Sequence, residues 1–355
     1  MINLEFLSEL RGKKLLLAFS HGSDSTALFH LLLRENISFD CALFNYKTRA
    51  SSDLEEASAK ELCERFGKRF FSKSAELKNG NFESKARALR YDFFKGLCLE
   101  HGYRGLVLAH QLNDYFEWFL MRFSKGAGLA NLLGFDESLR LENGEKINIY
   151  RPLKNTPKHE ILAFLRQNNI KYFNDESNKD ESFERNYIRA NFSDKFITSF
   201  AAGVARTFEA LNADKKVLLG DFAFESGGLF VLKNDEKAIN LADKALKKLG
   251  VLLSADSRAV AARAMKNEGQ IVLSHKVALC ANRTFVFIAP LKTAVLKKEF
   301  KEECRVLKIP SKIRAFLFLN KDIFKDLKEF LTDYRDFEGY KEGDDTSEFS
   351  HKKLN

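Results

Sequence analysis

The residues from Ser20 to Ser25 form a short polar loop whose composition suits phosphate binding. The loop follows an apolar run from Leu15 to Phe19 and precedes a helical pattern that begins near Ala27. A loop of small residues between a buried strand and a helix points free backbone N–H groups and the positive end of the helix dipole at one place, which favours an anion. We therefore expect a nucleotide phosphate to contact Ser20, His21, Gly22, Ser23, Asp24 and Ser25. The alternative is an ordinary Ser/Gly/Asp-rich turn.

This loop is not a Walker A loop. No Gly-Lys-Ser/Thr sequence closes it, so no lysine stands where it would reach the β- and γ-phosphates. If the loop binds a nucleotide, it belongs to another class of phosphate-binding loop.

A second polar segment, Ala109 to Glu117, follows another apolar run. His110 ends that run, and Asp114 and Glu117 lie one helical turn apart on the next helix. We expect these side chains to converge on the cleft into which the phosphate loop opens. Paired carboxylates there could hold Mg²⁺ or accept a proton from an amine nucleophile. The alternative is a helix cap followed by a surface glutamate.

A third segment places a carboxylate beside guanidinium groups. Glu83, Arg87 and either Arg90 or Tyr91 fall at helical spacing, so they can share one face of a helix. Such a face could bind a nucleotide phosphate or a substrate, and the alternative is a surface Glu–Arg pair.

Strands and helices alternate through the first part of the chain, which predicts a parallel sheet covered on both faces, with ligands at the carboxyl ends of the strands. The predicted strands are Lys14–Phe19, Asp40–Phe44, Lys68–Phe71, Gly105–Ala109 and Ile147–Tyr150. The predicted helices are Thr26–Arg34, Asp53–Phe66, Phe82–His101 and Asp114–Phe123.

The rest of the chain is predicted to be mainly helical before a second unit begins near Gly227. The predicted helices start near Thr156 and Asn191, the second of them running to about Phe224, and two more lie around Leu241–Leu249 and Asp256–Met265. The predicted strands of the second unit are Gln270–Leu273 and Thr284–Ile288.

Composition limits the class of protein. The 355 residues, 45% of them hydrophobic, can build two or three domains. No secretory signal or membrane-length apolar run is found, so we expect a cytoplasmic protein without a membrane partner. The five cysteines form no Cys-x-x-Cys pair, which argues against a disulfide framework or a zinc site and predicts reduced structural thiols. The net charge of +9 indicates a polyanionic partner, and a solvated surface with excess lysine is an equally weighted alternative from charge alone.

The order of these motifs resembles the tRNA(Ile)-lysidine synthetases of the PP-loop ATP pyrophosphatase superfamily. The resemblance runs from Leu15 to about Arg189. It is carried by Ser-x-Gly-x-Asp-Ser, the Asn-Phe-Glu…Ala-Arg…Arg-Tyr helix, Ala-His-x-x-x-Asp-x-x-Glu, Arg151-Pro152-Leu153, and Asp-x-Ser-Asn followed by Arg185-Asn186-Tyr187-Ile188-Arg189.

The resemblance implies a doubly wound, mostly parallel α/β fold like that of the adenine nucleotide alpha hydrolases, with a helical connector and a smaller α+β C-terminal domain. We expect the catalytic domain at 1–190, the connector at 191–226, a tRNA-binding domain at 227–332, and a frayed tail at 333–355.

The resemblance also implies the reaction. ATP adenylates the C2 oxygen of the wobble cytidine in a CAU-anticodon tRNA(Ile), and the ε-amine of free L-lysine then displaces AMP to give lysidine. Asp24, Arg87, Asp114 and Glu117 would be catalytic, and His110 would join the loop in binding ATP. Mg²⁺ would contact Asp24 and Asp114. The implied substrate-binding residues are Arg49, Glu83, Arg90, Asn178, Arg185 and Arg189. The oligomeric state, a homodimer among the options, stays open.

The chain departs from the family pattern at several places. His21 stands where glycine is usual, and histidine tolerates a positive φ there at some cost. Asn45 replaces a histidine, Gln111 a second histidine, Asn113 a first aspartate and Trp118 a threonine. Ile309-Pro310 with Arg314 echoes the C-terminal region of the family.

Two rival functions remain open from the sequence. A tRNA 2-thiolation enzyme would share the ATP loop, although sulfur transfer generally uses a cysteine pair or cluster. A non-catalytic RNA-binding protein would need only the basic surface, which leaves Asp24, Asp114 and Glu117 without a task.

Overall fold

A computed structural model describes residues 2–47, 52–75, 82–133, 135, 138–141, 145–173 and 180–343, with the side chains of 82–84, 130, 140, 219 and 335–343 excepted. The chain divides into two compact units, Met1–Ala213 and Asp214–Asn355. The division falls inside one long helix, so the boundary is not marked by a loop.

The first unit is built on a sheet of six strands. The strands are β1 Leu15–Ala18, β2 Phe39–Asn45, β3 Phe70–Ser74, β4 Gly105–Val107, β5 Ser138–Arg140 and β6 Lys146–Tyr150. The helices are α1 Leu7–Leu10, α2 Ser23–Arg34, α3 Ser52–Arg65, α4 Phe82–His101, α5 Leu112–Phe123, α6 Leu129–Leu132, α7 Lys158–Gln167, α8 Glu184–Ile188, a π-helical turn Arg189–Ser193, and α9 Asp194–Leu219.

The strand order places a topological switch beside β1. The order is β3-β2-β1-β4-β6-β5, with every pair parallel except β5 with β6. The chain leaves β1 toward β2 on one side and returns to β4 on the other. The loops after β1 and β4 therefore separate at their carboxyl ends and open a crevice, which is where ligands bind in such sheets.

Both faces of this sheet are covered, as the continuous apolar strands predict. Leu15 and Leu17 of β1 point into a core with α2, α3 and α7. Leu16 points into a separate core with α4. The prediction of a doubly wound, mostly parallel α/β sheet is confirmed, and the strands and helices predicted before residue 125 agree with the observed ones to within a few residues.

The second unit has a five-stranded antiparallel sheet of order β7-β8-β11-β10-β9. Its strands are β7 Phe224–Ser226, β8 Leu229–Lys233, β9 Gln270–Leu273, β10 Val277–Ala281 and β11 Phe285–Pro290. Its helices are α10 Ala238–Lys248, α11 Ala255–Lys266, α12 Lys298–Val306, α13 Ser311–Leu319 and α14 Lys321–Gly343. In β10, Leu279 packs with α10 and α11, and its neighbours Ala278 and Cys280 pack with α12 to α14.

Three expectations differ from the structure. The helix expected to reach Phe224 ends at Leu219, because Gly220 takes the left-handed conformation (φ 64°) that commonly ends helices. Phe224 instead begins β7, which forms a hairpin with β8 through Gly227 and Gly228, both at positive φ. The sheet of the second unit thus begins before Gly227.

The other two differences concern short or terminal elements. The antiparallel strand β5 is absent from the sequence prediction, since three residues carry too little pattern. Helix α14 continues to Gly343, into the segment expected to be frayed from Asp333, and residues 344–355 lie outside the described residues. The domain limits drawn from the sequence stay predictions.

Candidate active site

The phosphate loop lies at the carboxyl end of β1 and opens into helix α2. Gly22 is the N-cap of α2 and provides no side-chain cap, so the N–H groups of the first turn point into the crevice. The Oγ atoms of Ser20 and Ser25 are 3.1 Å apart, and Ser25 donates a hydrogen bond to the carbonyl of Gly22 (3.1 Å). These bonds fix a turn whose free donors suit an anion.

His21 adopts a backbone conformation that favours glycine. Its φ is 59°, in the left-handed region that favours glycine but that histidine tolerates. The side chain is buried, and its ring lies 5.4 Å from that of Phe19 and 5.3 Å from that of Phe173. The backbone carbonyl of His21 accepts a hydrogen bond from Phe173 (3.0 Å). Packing on both sides therefore holds the loop in this strained conformation.

Asp24 forms an ion pair with a lysine that the sequence motifs do not single out. Its Oδ1 atom accepts a hydrogen bond from Nζ of Lys158 at 2.6 Å, and the same ammonium donates to Oγ of Ser23 at 2.7 Å. Lys158 is the first residue of α7, directly after Pro157. Helix α7 thus adds an ammonium group to the phosphate loop.

Asn113 links this pair to the rest of the site. Its Oδ1 accepts a hydrogen bond from the backbone N–H of Lys158 (3.1 Å), and its Nδ2 donates to Oδ1 of Asp194 (2.7 Å). Asn113 is buried. A side chain that both donates and accepts is needed at this position, which an ionised aspartate could not do. The departure from the family pattern at position 113 therefore has a structural role.

Asp114 combines a capping role with an ion pair. Gln111 is the N-cap of α5, and its backbone N–H donates to Oδ2 of Asp114 at 2.9 Å, while Oε1 of Gln111 accepts from the N–H of Asn113 at 2.6 Å. The other oxygen of Asp114 accepts from Nη2 of Arg185 at 2.5 Å. The helix-cap interpretation thus describes one carboxylate oxygen of Asp114, and the other oxygen pairs with an arginine.

Glu117 is fully buried, so it is not a surface glutamate. Its Oε2 accepts from Nε of Arg185 at 2.7 Å, and its Oε1 accepts from Nε of Arg189 at 2.8 Å. A buried carboxylate is tolerated only with such partners. The two arginines of the Arg-Asn-x-Ile-Arg motif therefore neutralise the carboxylates of the Asp-x-x-Glu motif.

Four carboxylates, Asp24, Asp114, Glu117 and Asp194, form what we call the carboxylate cluster. Burial raises the pKa of Asp24, the charge of Asp114 adds to that rise, and Lys158 opposes it. Burial also raises the pKa of Asp194. The pKa of Arg185 is raised because Asp114 and Glu117 outweigh its burial. A cluster of this kind can bind and position a cation.

A second group, His110 with Arg87, Arg90 and Arg151, forms what we call the arginine cluster. Burial holds the pKa of His110 well below its usual value, and the charges of Arg151, Arg185, Arg90 and Arg87 lower it further. The imidazole is therefore neutral at pH 7. Arg151 follows β6, and its guanidinium lies 5.1 Å from the centre of the ring of Phe135. Several cations around a neutral histidine favour an anionic ligand.

Helix α4 directs Arg87 and Arg90 toward this group, as its spacing predicts. Burial raises the pKa of Tyr46, which follows β2, and the positive charges of Arg90 and Arg87 oppose that rise. The same two charges help to lower the pKa of His110, which follows β4. Arg87 donates a hydrogen bond to the Tyr91 hydroxyl at 3.2 Å, so these two residues share a helix face. The guanidinium groups therefore lie at the carboxyl edge of the sheet.

Three of the predicted substrate-binding residues cannot be compared with the structure. Arg49 and Asn178 lie outside the described residues, and Glu83 lies in α4 with its side chain outside the description. Of the other substrate-binding candidates, Arg90 belongs to the arginine cluster, and Arg185 and Arg189 pair with the carboxylate cluster.

The sequence reasoning missed Lys158 and Asp194 as members of the site, and it gave Arg151 no role in it beyond the motif Arg151-Pro152-Leu153. Lys158 follows that motif by five residues, so proximity to the motif was the available signal. Asp194 carried no such signal, since it starts a long helix as many surface aspartates do.

The Mg²⁺ expectation fits part of this geometry. Among the described residues, no group of three or more His, Cys, Asp or Glu side chains is arranged to hold a metal ion. Asp24 and Asp114 supply two carboxylates, and Mg²⁺ commonly binds through one or two carboxylates together with substrate phosphates and water. The pair therefore fits a nucleotide-bound Mg²⁺ rather than a site built from protein side chains alone.

The cysteines lie apart from this chemistry. All five are free and buried, which confirms the prediction of structural thiols. Burial raises the pKa of Cys98 and Cys280 to about 12 and that of Cys304 to about 11. These thiols are protonated at neutral pH and are poor nucleophiles.

The echo of the family near Ile309 has a structural explanation. Both Nε and Nη2 of Arg314 donate to the carbonyl of Ile309, at 3.0 Å and 2.9 Å.

Within the part of the chain that the structure describes, no helix has the length and apolar character needed to cross a membrane.

Comparison with known proteins gives a consistent set of relatives. A family model described as a PP-loop domain matches residues 2–195. A tRNA(Ile)-lysidine synthase of Campylobacter jejuni is 47% identical over 320 residues, covering 89% of this chain and 96% of that protein. The Wolinella succinogenes protein of the same name is 39% identical, covering 90% and 97%. That of Helicobacter pylori is 36% identical, covering 93% and 96%. The similarity therefore extends well beyond the PP-loop domain.

Proposed function

Since the chain belongs to the tRNA(Ile)-lysidine synthase family, we propose that it joins lysine to the wobble cytidine of a tRNA(Ile) with a CAU anticodon. The reaction consumes ATP and yields lysidine, AMP and pyrophosphate, so the enzyme is a ligase that forms a carbon–nitrogen bond. The modified tRNA reads the codon AUA instead of AUG. The observation that carries the proposal is the 47% identity across nearly the whole of both chains.

The first step activates the cytidine. Its C2 oxygen attacks the α-phosphorus of ATP, the bond from that phosphorus to the bridging oxygen breaks, and pyrophosphate leaves. We assign the loop from Ser20 to Ser25 and the N-terminus of α2 to the phosphates, with Lys158 held beside the loop by Asp24. Mg²⁺, held by Asp24 and Asp114, would neutralise phosphate charge.

The arginine cluster provides the remaining charge balance for this step. Negative charge builds up on the leaving pyrophosphate, and fixed cations stabilise it more than they stabilise the bound ATP. Arg87, Arg90 and Arg151 are such cations. His110 stays neutral in their company, so it can accept or donate a hydrogen bond without adding charge.

The second step forms the new bond. The ε-amine of lysine attacks C2, the bond from C2 to the AMP-bearing oxygen breaks, and AMP leaves. The ammonium must lose a proton before it can attack. We assign its binding to the carboxylate cluster, where Asp114 and Glu117 already bind the guanidinium of Arg185. For an incoming ammonium to be bound, Arg185 would release part of this contact, and Asp114 or Glu117 would take the proton.

The 2-thiolation alternative is disfavoured by the cysteines. Sulfur transfer requires a reactive thiol or a cluster ligand, and all five cysteines are buried and free. The non-catalytic alternative would leave the paired, buried charges around Asp24 and Glu117 without a purpose, although such charges are costly to maintain.

The experiment is the incubation of the protein with unmodified tRNA(Ile), ATP and isotopically labelled lysine, followed by mass spectrometry of the nucleosides. We expect labelled lysidine at the wobble position and one pyrophosphate for each lysine incorporated. Elongator methionine tRNA, which shares the CAU anticodon, is the specificity control. A sulfur-containing nucleoside would establish the 2-thiolation alternative, and tRNA binding without pyrophosphate release would establish the non-catalytic one.

A further inference from the structure

The exposed aromatic side chains of the described residues are concentrated in one region. Seven of the exposed large hydrophobic residues are Phe or Tyr, and six of these lie at position 123 or between positions 183 and 200. These six are Phe123, Phe183, Tyr187, Phe192, Phe196 and Phe200. Large exposed apolar patches on a protein surface commonly mark an interaction site.

Five of these rings form two groups of contacts: Phe123, Phe196 and Phe200 join through the half-buried Phe116 and Phe119, and Tyr187 pairs with Phe192. Phe116, Phe119 and Phe123 form a stripe along α5, and Phe116 contacts Phe196 of α9, which contacts Phe200 in turn. Tyr187 contacts Phe192, and both residues lie after α5 and before α9 in the chain. We call the set Phe116, Phe119, Phe123, Tyr187, Phe192, Phe196 and Phe200 the aromatic platform.

Of the five ring contacts of the platform, Phe196 with Phe200 is tilted and Tyr187 with Phe192 is edge-to-face. The other three are more nearly parallel than any other ring pair of the described residues. Their interplanar angles are 8° for Phe116 with Phe119, 15° for Phe119 with Phe123, and 19° for Phe116 with Phe196. The remaining stacked pair of the described residues, Phe71 with His101, lies at 26°, and the other aromatic pairs are tilted or edge-to-face. Parallel rings with exposed faces offer flat surfaces on which further rings can stack.

The platform adjoins the proposed catalytic residues along the chain. Phe116 directly precedes Glu117, and Tyr187 lies between Arg185 and Arg189, both of which pair with Glu117. The platform therefore shares helices α5 and α9 with Asp114, Glu117 and Asp194 of the carboxylate cluster, to which we assign the binding of lysine.

The chemistry of the surroundings favours a nucleic-acid occupant over a protein. Lys195 and Arg206 of α9 are exposed, and each makes no ion pair with any residue the structure describes. Cations beside stacked aromatic rings are the combination that binds single-stranded nucleic acid, since the bases stack and the phosphates pair with the cations.

We propose that the aromatic platform stacks the unpaired anticodon bases that flank the reacting cytidine. The inference rests on the proposed function, because it takes the cytidine as the base that enters the carboxylate cluster. The platform holds the neighbouring bases out of their own stack and thereby fixes the depth to which the cytidine enters.

The test uses an anticodon stem-loop RNA with a CAU loop in which 2-aminopurine replaces the adenine. The fluorescence of this base falls when it stacks on an aromatic ring. The variants are F196L/F200L, which keeps an apolar surface but removes the rings, and F196Y/F200Y, which keeps the rings. F66L is the matched control, because Phe66 is an exposed phenylalanine (40%) outside the platform.

We expect F196L/F200L to weaken RNA binding by roughly five-fold or more, the loss of at least one base stack, and to remove the fluorescence quenching. F196Y/F200Y and F66L should behave as the unaltered protein. The slope of log Kd against log salt should not change, because these side chains carry no charge that pairs with phosphate. F123L is a second single variant that should weaken binding, and melting temperatures verify that each variant is folded.

The proposal fails if the leucine variant binds and quenches as the unaltered protein does, or if leucine and tyrosine variants behave alike. It also fails if the leucine variant changes sedimentation while RNA binding is unaffected, which would make the platform an interface between copies of the chain. The lysidine assay is scored separately. Quenched binding without lysidine formation would refute the proposed function and keep the platform, whereas lysidine formation with ring-independent binding would refute only the platform.

Discussion

The two units of the chain differ in how many polar side chains they bury. Of the twelve buried polar or charged residues in the part of the chain that the structure describes, eleven lie in the first unit, and only Asp243 lies in the second. In the first unit these residues surround the phosphate loop and helix α5. Burying polar groups costs free energy unless each is paired, so their concentration in one unit indicates a functional demand there.

The second unit keeps its charge on the surface. Residues 214–355 contain 27 Lys and Arg against 21 Asp and Glu, so they carry +6 of the net +9. Residues 269–298, which include β9, β10 and β11, contain five Lys and Arg and neither Asp nor Glu. An apolar core under a basic surface suits a unit that binds a polyanion without doing chemistry on it.

The more highly charged unit is therefore not the one that contains the candidate active site, so net charge alone does not identify that unit. The first unit is closer to neutral because its 31 Lys and Arg are nearly matched in number by 28 Asp and Glu. The predictions below test this division, from the largest expected effect to the smallest.

Replacing Asp24 with alanine should reduce tRNA-dependent pyrophosphate release by about 10²- to 10³-fold, because it removes an electrostatic contact at the phosphate loop. Lys158 also loses its partner in this variant. Pyrophosphate release at saturating ATP and tRNA is the measurement, with Glu61→Ala as an exposed-carboxylate control. Near-normal release would show that the loop is only a turn.

Replacing Asp114 with asparagine should lower lysidine formation by about 10²-fold, since the charge near the ammonium is removed. The asparagine oxygen can still accept the N–H of Gln111, so the free energy of unfolding should fall by no more than about 1 kcal/mol. Labelled-lysine incorporation and denaturant unfolding should be measured on one preparation. A parallel collapse of both would leave Asp114 a helix cap alone.

Replacing Glu117 with glutamine should lower the free energy of unfolding of the first unit by about 2 kcal/mol, because two arginines lose a buried partner but can turn partly to solvent. The matched variant is Asp243→Asn in the second unit, which removes the charge that pairs with Arg258. Arg258 keeps its hydrogen bond to Asn240, so the loss should be about 1 kcal/mol or less. Urea unfolding of both variants provides the comparison. Equal losses would mean that the two units do not differ in this respect.

Replacing Lys276 and Lys292 with alanine should weaken tRNA binding several-fold and reduce the salt slope of log Kd by about 0.7–0.9 for each phosphate that the variant no longer binds. Both lysines are exposed, and the N–H of Leu291 donates to the carbonyl of Lys276 at 2.7 Å, so they lie at the same end of the sheet. Lys60→Ala/Lys95→Ala is the control in the first unit. An unchanged salt slope would remove this end of the sheet from the RNA interface.

The pH dependence of stability should depend on His110. Its pKa is well below 6.5 in the folded protein and near 6.5 in the unfolded chain, so the unfolded chain binds more protons between these values. Stability is therefore fully present above pH 6.5 and falls as the pH drops below it, by at most about 1.4 kcal/mol per pH unit. His110→Asn should flatten the decrease between pH 7 and pH 5.5, as measured by urea unfolding. An unaltered decrease would assign it to other groups.

Much of the first unit could be predicted because its signals are local. Apolar runs and helical spacing predicted the strands around the crevice, and the motif order predicted the loop, His110, Asp114 and Glu117. The second unit was harder to predict, because β8, β10 and β11 are buried on both faces, and short apolar runs do not distinguish β8 and β10 from helix segments.

The sequence by itself determined the kinds of chemistry available and the order of the elements that carry them. It could not show that Lys158 pairs with Asp24, that Arg185 and Arg189 enclose Glu117, or that Asp194 joins the cluster through Asn113. Lys158 and Asp24 are 134 residues apart in the chain, and Arg185 and Glu117 are 68 residues apart. Only the crossover of the chain from one side of β1 to the other brings these residues to one crevice. The periodicity of a sequence predicts which face of its element a side chain lies on. It does not predict which distant element packs against that face.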